Sequence, residues 1–148
     1  EYLKIIASPP TDYILRFVIK PLGIVQFSGN IIHFTTGGRG YNPVVYGRRV
    51  PSVKFQPYTT KLKVATGSNS NGNQIQDLGE NLAWNVDHEV EIKVTGSTST
   101  VSVNGDIKHT MTVGTRSQLS NVKVYIGIPY LANIANAIIS DVSFTSAS

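Results

Sequence analysis

The sequence predicts an all-β chain folded as a two-sheet antiparallel jelly-roll sandwich, and three observations predict it. Apolar and polar residues alternate with period two along most of the chain, and no segment sustains the spacing of an amphipathic helix. Short runs rich in Val, Ile, Phe and Tyr recur between turn-forming residues, at the spacing of strands in a sandwich or barrel. Charged residues make up 15% of the chain, against roughly 25% in an average soluble protein. Ser, Thr, Asn and Gly take their place, as suits sheets whose outer faces are polar and largely neutral.

The elements follow in order. Tyr13 to Lys20 puts Tyr13, Leu15, Phe17 and Ile19 on one face, and Asn30 to Thr35 turns Ile32 and Phe34 inward with His33 and Thr35 outward. Ser52 to Gln56 buries Val53 and Phe55 and leaves Lys54 and Gln56 outside, while Lys61 to Ala65 buries Leu62 and Val64. His88 to Val94 sets Val90, Ile92 and Val94 opposite Glu89, Glu91 and Lys93. Val101 and Val103 come next, then Ile107 to Val113, Val122 to Ile126, and a closing strand over about Ala137 to Phe144. Asn104-Gly105-Asp106 reads as a tight hairpin, because Asn-Gly supplies the two positive φ angles of a type I′ turn. Pro9-Pro10, Gly37-Gly38-Arg39-Gly40 and the polar tract Gly67 to Asn73 are loops. No composition break, linker or repeat divides the chain, so one domain over residues 1–148 is expected.

Several function classes fall away. Without cysteine there is no disulfide, thiolate metal site or cysteine nucleophile. The net charge is +4, but the basic residues are scattered and only Arg48-Arg49 forms a doublet, so no nucleic-acid partner is expected. Apolar stretches such as Ala137-Ile138-Ile139 are too short to cross a bilayer as a helix, and no membrane insertion is expected. A start at Glu1, without Met or signal peptide, reads as a processed chain or a fragment. His33, His88 and His109 lie on different predicted strands and lack the paired spacing of a zinc site, and nine acidic residues are few for a calcium cage. No metal and no cofactor is expected.

Two constellations carry chemistry. On a strand, Asp87, Glu89 and Glu91 project to one face at roughly 7 Å per step, a geometry within reach of glycoside hydrolysis by paired carboxylates. Their order is Asp-x-Glu-x-Glu and Lys93 continues the same face, which reads as a solvated strand surface. The second is the tract Gly37 to Arg49, where Tyr41, Asn42, Tyr46, Arg39, Arg48 and Arg49 stand among four glycines. Aromatic faces cover the C–H side of a pyranose, and Asn and Arg give directional hydrogen bonds to hydroxyls. His33 on the adjoining strand and Trp84 in Asn81-Leu82-Ala83-Trp84-Asn85 complete the candidate carbohydrate-binding set, each also explicable as ordinary packing.

The segments Tyr13-Ile14-Leu15-Arg16-Phe17, Asn30-Ile31-Ile32-His33-Phe34-Thr35, Arg49 to Phe55, Lys61 to Val64, Val90 to Val94, Val101-Ser102-Val103-Asn104-Gly105 and Ile138 to Phe144 together resemble the concanavalin A-like lectin/glucanase superfamily. Laminin-G-like and galectin-like domains belong to it, and a slime-mould haemagglutinin type is the nearer resemblance. It spans nearly the whole chain but rests on strand pattern and the Val-Asn-Gly hairpin. The galectin signature His-x-Asn-x-Arg is met only at His33, with Thr35 and Gly37 at its other positions, and the glucanase acid cluster is out of order. The resemblance therefore implies a non-catalytic lectin, secreted or at a cell surface, that binds extracellular glycans or glycoproteins through an outward sheet face or its loops. Weak single sites make a homo-oligomer or a repeated ligand the expected context. The alternatives are a structural or adhesion module that binds protein, and a glycoside hydrolase using Glu89 and Glu91.

Overall fold

The computed structural model describes residues 2–37, 45–126 and 134–147. These residues form eleven strands: β1 Tyr2–Ile6, β2 Tyr13–Pro21, β3 Gly29–Thr35, β4 Ser52–Phe55, β5 Lys61–Thr66, β6 Gln74–Asn81, β7 His88–Thr95, β8 Thr98–Val103, β9 Asp106–Thr112, β10 Val122–Ile126 and β11 Ala137–Ser146. They make a six-stranded sheet in the order β1-β10-β3-β4-β5-β6 and a five-stranded sheet in the order β11-β2-β7-β8-β9. Every ladder is antiparallel. The last two strands return to lie beside the first three, the crossover pattern of a jelly roll.

The inner faces meet in one core. Tyr13, Leu15, Phe17 and Ile19 of β2 and Val90, Ile92 and Val94 of β7 face Ile32 and Phe34 of β3, Val53 and Phe55 of β4, and Leu62 and Val64 of β5, all buried. Each such side chain contributes roughly 1.5–3 kcal/mol by leaving water. Phe144 on β11 joins the two layers, with its ring 4.7 Å from that of Phe34 and 5.0 Å from that of Tyr13. The hairpin turn between β8 and β9 has φ of 52° at Asn104 and 85° at Gly105, the conformation the Asn-Gly pair favours.

Polar groups also tie the sandwich. Gln76 of β6 points inward, accepts from Ser99 Oγ at 2.8 Å, and donates to Ser99 O and to His109 Nδ1 on the facing sheet. Arg116, only 5% exposed, donates to Asp12 at 2.7 Å and to Gly96 O at 3.0 Å, while Gly96 N donates to the same carboxylate. The Arg116 bond holds the Asp12 carboxyl below its ordinary range. Asp12→Ala would strand the guanidinium, with an expected loss of about 1–3 kcal/mol. The low end is favoured because the carboxylate is 39% exposed. The double variant Asp12→Ala/Arg116→Met should recover part of that loss in urea titrations; equal loss in both would mean that the buried charge is not the cause.

Candidate functional site

Among the described residues expected to bind sugar, Trp84 stands apart from His33, Tyr46, Arg48 and Arg49. Arg39, Tyr41 and Asn42 lie outside the described residues. His33 faces outward from β3 as the alternation predicts, yet it is 1% exposed. Its Nε2 donates to Arg48 O at 2.7 Å, and burial, with Arg49 and Lys54 nearby, pushes its pKa down to about 4. The whole of β3 is buried, so that strand offers no open surface. Arg49 is also buried: Nη1 donates to Asn73 Oδ1 at 2.9 Å and its carbonyl accepts from Gly67 N. Arg48 is half-buried and lies against Gly37, where a Cβ would overlap its guanidinium. Tyr46 packs half-buried on the core edge and donates its hydroxyl to Ser117 O at 2.8 Å. These side chains fasten the β3–β4 connection to the sheet.

Trp84 stands elsewhere. It is 51% exposed in the β6–β7 connection, beside Asn85, whose N–H donates to Pro21 O. Along β5, Thr66 adjoins Gly67 and thus the Arg49 end, whereas Lys61 adjoins the Trp84 end, where Leu82 N donates to Thr60 O. The length of β5, about 17 Å, separates the two groups.

The Trp84 end holds what the sequence reading missed. Tyr58, 61% exposed in the β4–β5 turn, donates its N–H to Val25 O, and Phe27 is exposed in the same β2–β3 loop as Val25. Three exposed aromatic residues thus sit on loops at one end of the sandwich, and Tyr58 adopts a positive φ of 57°. That end adjoins the open half of the six-stranded sheet's outer face. There Asn30, Lys54, Lys63 and Asp77 stand in register across β3, β4, β5 and β6, and Lys63 approaches Asp77 at 3.7 Å. The adjoining row is His33, Ser52, Ala65 and Ile75, of which His33, Ser52 and Ala65 are buried. Lys54, Lys61 and Lys63 are all half-buried. Burial, with Arg49 and Lys63 close by, brings the Lys54 pKa down to about 8. The alternation already turned Lys54 outward; the missing signal was the hairpin register that sets it directly opposite Lys63.

Glu89 and Glu91 lie on the outer face of the five-stranded sheet, in a groove of about 360 Å³ shared with Arg16, Ser102, Asp141 and Ser143. Glu91 accepts from Arg16 Nε at 2.9 Å. Among the described residues, no three His, Asp or Glu side chains gather as a metal cluster.

No protein-family model matches the chain, and no curated protein matches it in sequence. Solved structures do match in shape. A heptameric SAP-like pentraxin from Limulus polyphemus superposes with a TM-score of 0.65 at 17% identity, over 97% of this chain and 67% of that one. The fourth domain of an extracellular arabinanase from Geobacillus stearothermophilus, solved with arabinotriose, gives 0.64 at 12%, over 97% and 64%. A carbohydrate-binding module from Bacillus subtilis gives 0.55 at 11%, over 95% and 78%. The fold of this chain is accordingly the concanavalin A-like jelly-roll sandwich.

Proposed function

We propose that the chain is a non-catalytic carbohydrate-binding domain acting outside the cell, with its site on the β4–β6 half of the outer face and the aromatic loops beside it. One observation carries this: exposed rings and half-exposed polar side chains gather at one end of one sheet. Tyr58 and Trp84 offer apolar faces to the C–H side of a sugar ring, and Lys54, Lys61, Lys63 and Asn81 offer hydrogen bonds to its hydroxyls. Two of the shape matches support the reading, since one is a carbohydrate-binding module and another was solved with an arabinose oligomer. The pairing of Glu91 with Arg16 favours binding over hydrolysis, because it engages one of the two carboxylates that the hydrolase alternative needs.

A glycan array followed by titration tests this. Tyr58→Ala and Trp84→Ala should each weaken binding about five- to tenfold and leave the melting temperature unchanged, since both rings are exposed. Failure of the folded protein to bind any glycan would reject the proposal. So would release of reducing ends that Glu89→Gln abolishes. Loss of binding in Arg48→Ala, with Tyr58→Ala and Trp84→Ala unaffected, would move the site to the opposite end of the sheet.

A further inference from the structure

The open half of this face is unbalanced in charge. Lys54 and Lys63 stand directly opposite each other on adjacent strands, an arrangement that puts their Cβ atoms about 4.5–5.5 Å apart and destabilises a sheet when the charges are alike. Lys61 projects from the same side of β5, one step toward the aromatic end, and Arg49 adds a fourth cation near Lys54. Among the described residues, the strands of this sheet carry two carboxylates. Asp77 reaches only Lys63, at 3.7 Å, and Glu80 pairs with Lys108 of the other sheet. The outer face of the five-stranded sheet differs: Arg16 is neutralised by Glu91 at 2.9 Å, and Glu89 and Asp141 share that groove. Lys54 is half-buried, loses hydration, and faces Arg49 from the β3–β4 connection and Lys63 from β5, with Asp77 the carboxylate opposing them. A lysine held this way weakens the unliganded fold, and an anion seated between it and Lys63 would relieve the repulsion.

We infer that the sugar bound on this face carries negative charge, as a uronate or a sulfated pyranose, with its anionic group between Lys54 and Lys63 and its ring toward Tyr58 and Trp84. This rests on the carbohydrate-binding reading and narrows it to acidic glycans.

The experiment uses calorimetric titration of the whole chain with tetragalacturonate, with its methyl ester as a neutral counterpart of equal length, with a heparin-derived tetrasaccharide, and with a single-stranded oligonucleotide of matched charge. The acid should bind at least about tenfold more tightly than its ester. Lys54→Gln and Lys63→Gln should each remove most of that preference. The unliganded Lys54→Gln protein should melt higher than the parent, by roughly 2–4 °C; a merely structural lysine would give a lower value. Tight binding of tetragalacturonate alone would assign a carboxylate, of the heparin fragment alone a sulfate, and both results support the inference. Measurable and equal binding of tetragalacturonate and its ester overturns the charge preference and leaves carbohydrate binding standing. Binding to none of the sugars rejects carbohydrate binding itself. Equal binding of the oligonucleotide overturns the inference in favour of a nucleic-acid surface.

Discussion

Phe34→Ala is expected to lower the unfolding free energy by about 3–5 kcal/mol, the largest effect of any single truncation proposed for this protein. Phe34 is among the largest fully buried side chains and projects from β3 into the layer between the sheets. Its ring lies 4.7 Å from Phe144, which in turn lies 5.0 Å from Tyr13, so one truncation opens a gap in a chain of rings that joins both sheets. The same strand presents His33 on its other face, and His33 pairs in register with Ser52, on the strand that carries Lys54. Loss of Phe34 packing should therefore loosen the row that borders the site as well as the core. Thermal melts and urea titrations measure the effect. A fall of less than about 1 kcal/mol would mean that neighbouring side chains close the space, and that the core is less tightly keyed than its burial implies. Phe34→Leu should cost distinctly less, because it retains most of the volume.

The core was legible in the sequence because burial repeats every second residue. Tyr13, Leu15, Phe17 and Ile19 are buried as the alternation requires, and so are Val90, Ile92 and Val94 opposite Glu89, Glu91 and Lys93. The Asn104-Gly105 turn was legible for a local reason, the positive φ angles both residues adopt. Strand β6 was not, because its sequence Gln-Ile-Gln-Asp-Leu-Gly-Glu-Asn hides an inward face made of Gln76 and Leu78. Gln76 is a core residue by virtue of its hydrogen bonds to Ser99 and His109, which no hydropathy pattern records. Strand β1 escaped notice as well, being a five-residue strand that, among the described residues, pairs with β10 alone, far along the chain. The site was legible in part. Alternation sets His33, Lys54 and Lys63 on one outer face but cannot say that β3 is covered while β4 and β5 stay partly open. Nor can it say that Trp84 and Arg48 stand at opposite ends of the sheet, since that depends on long-range pairing. Tyr58 drew no attention because a single tyrosine between Pro57 and Thr59 looks like any turn residue until burial shows its ring exposed.

Acid should weaken the fold through His33 before it reaches most carboxylates. In an unfolded chain this histidine takes up a proton near its ordinary value of 6.5, whereas in the fold burial holds it to about 4, with Arg49 and Lys54 adding to the shift and the bond to Arg48 O opposing it. Between those two values the unfolded state binds a proton that the native state refuses, so stability is full above about pH 6.5 and declines as the pH falls toward 4. The accumulated loss is about 3 kcal/mol. Asp12, whose carboxyl Arg116 holds low, adds a further decline that sets in below its ordinary value of 3.8, so the two contributions separate along the pH axis. Urea midpoints measured from pH 7.5 to 4.0 should drop steeply for the parent chain. His33→Asn should lose stability at neutral pH, because the bond to Arg48 O goes with the ring, but its profile should be flatter across the same range. Parallel profiles for the two proteins would show that His33 is not the group whose protonation the fold resists. Protonation at Nδ1 keeps the Nε2–H bond to Arg48 O, so the weakening comes from placing a buried charge beside Arg49 and Lys54 rather than from loss of that bond.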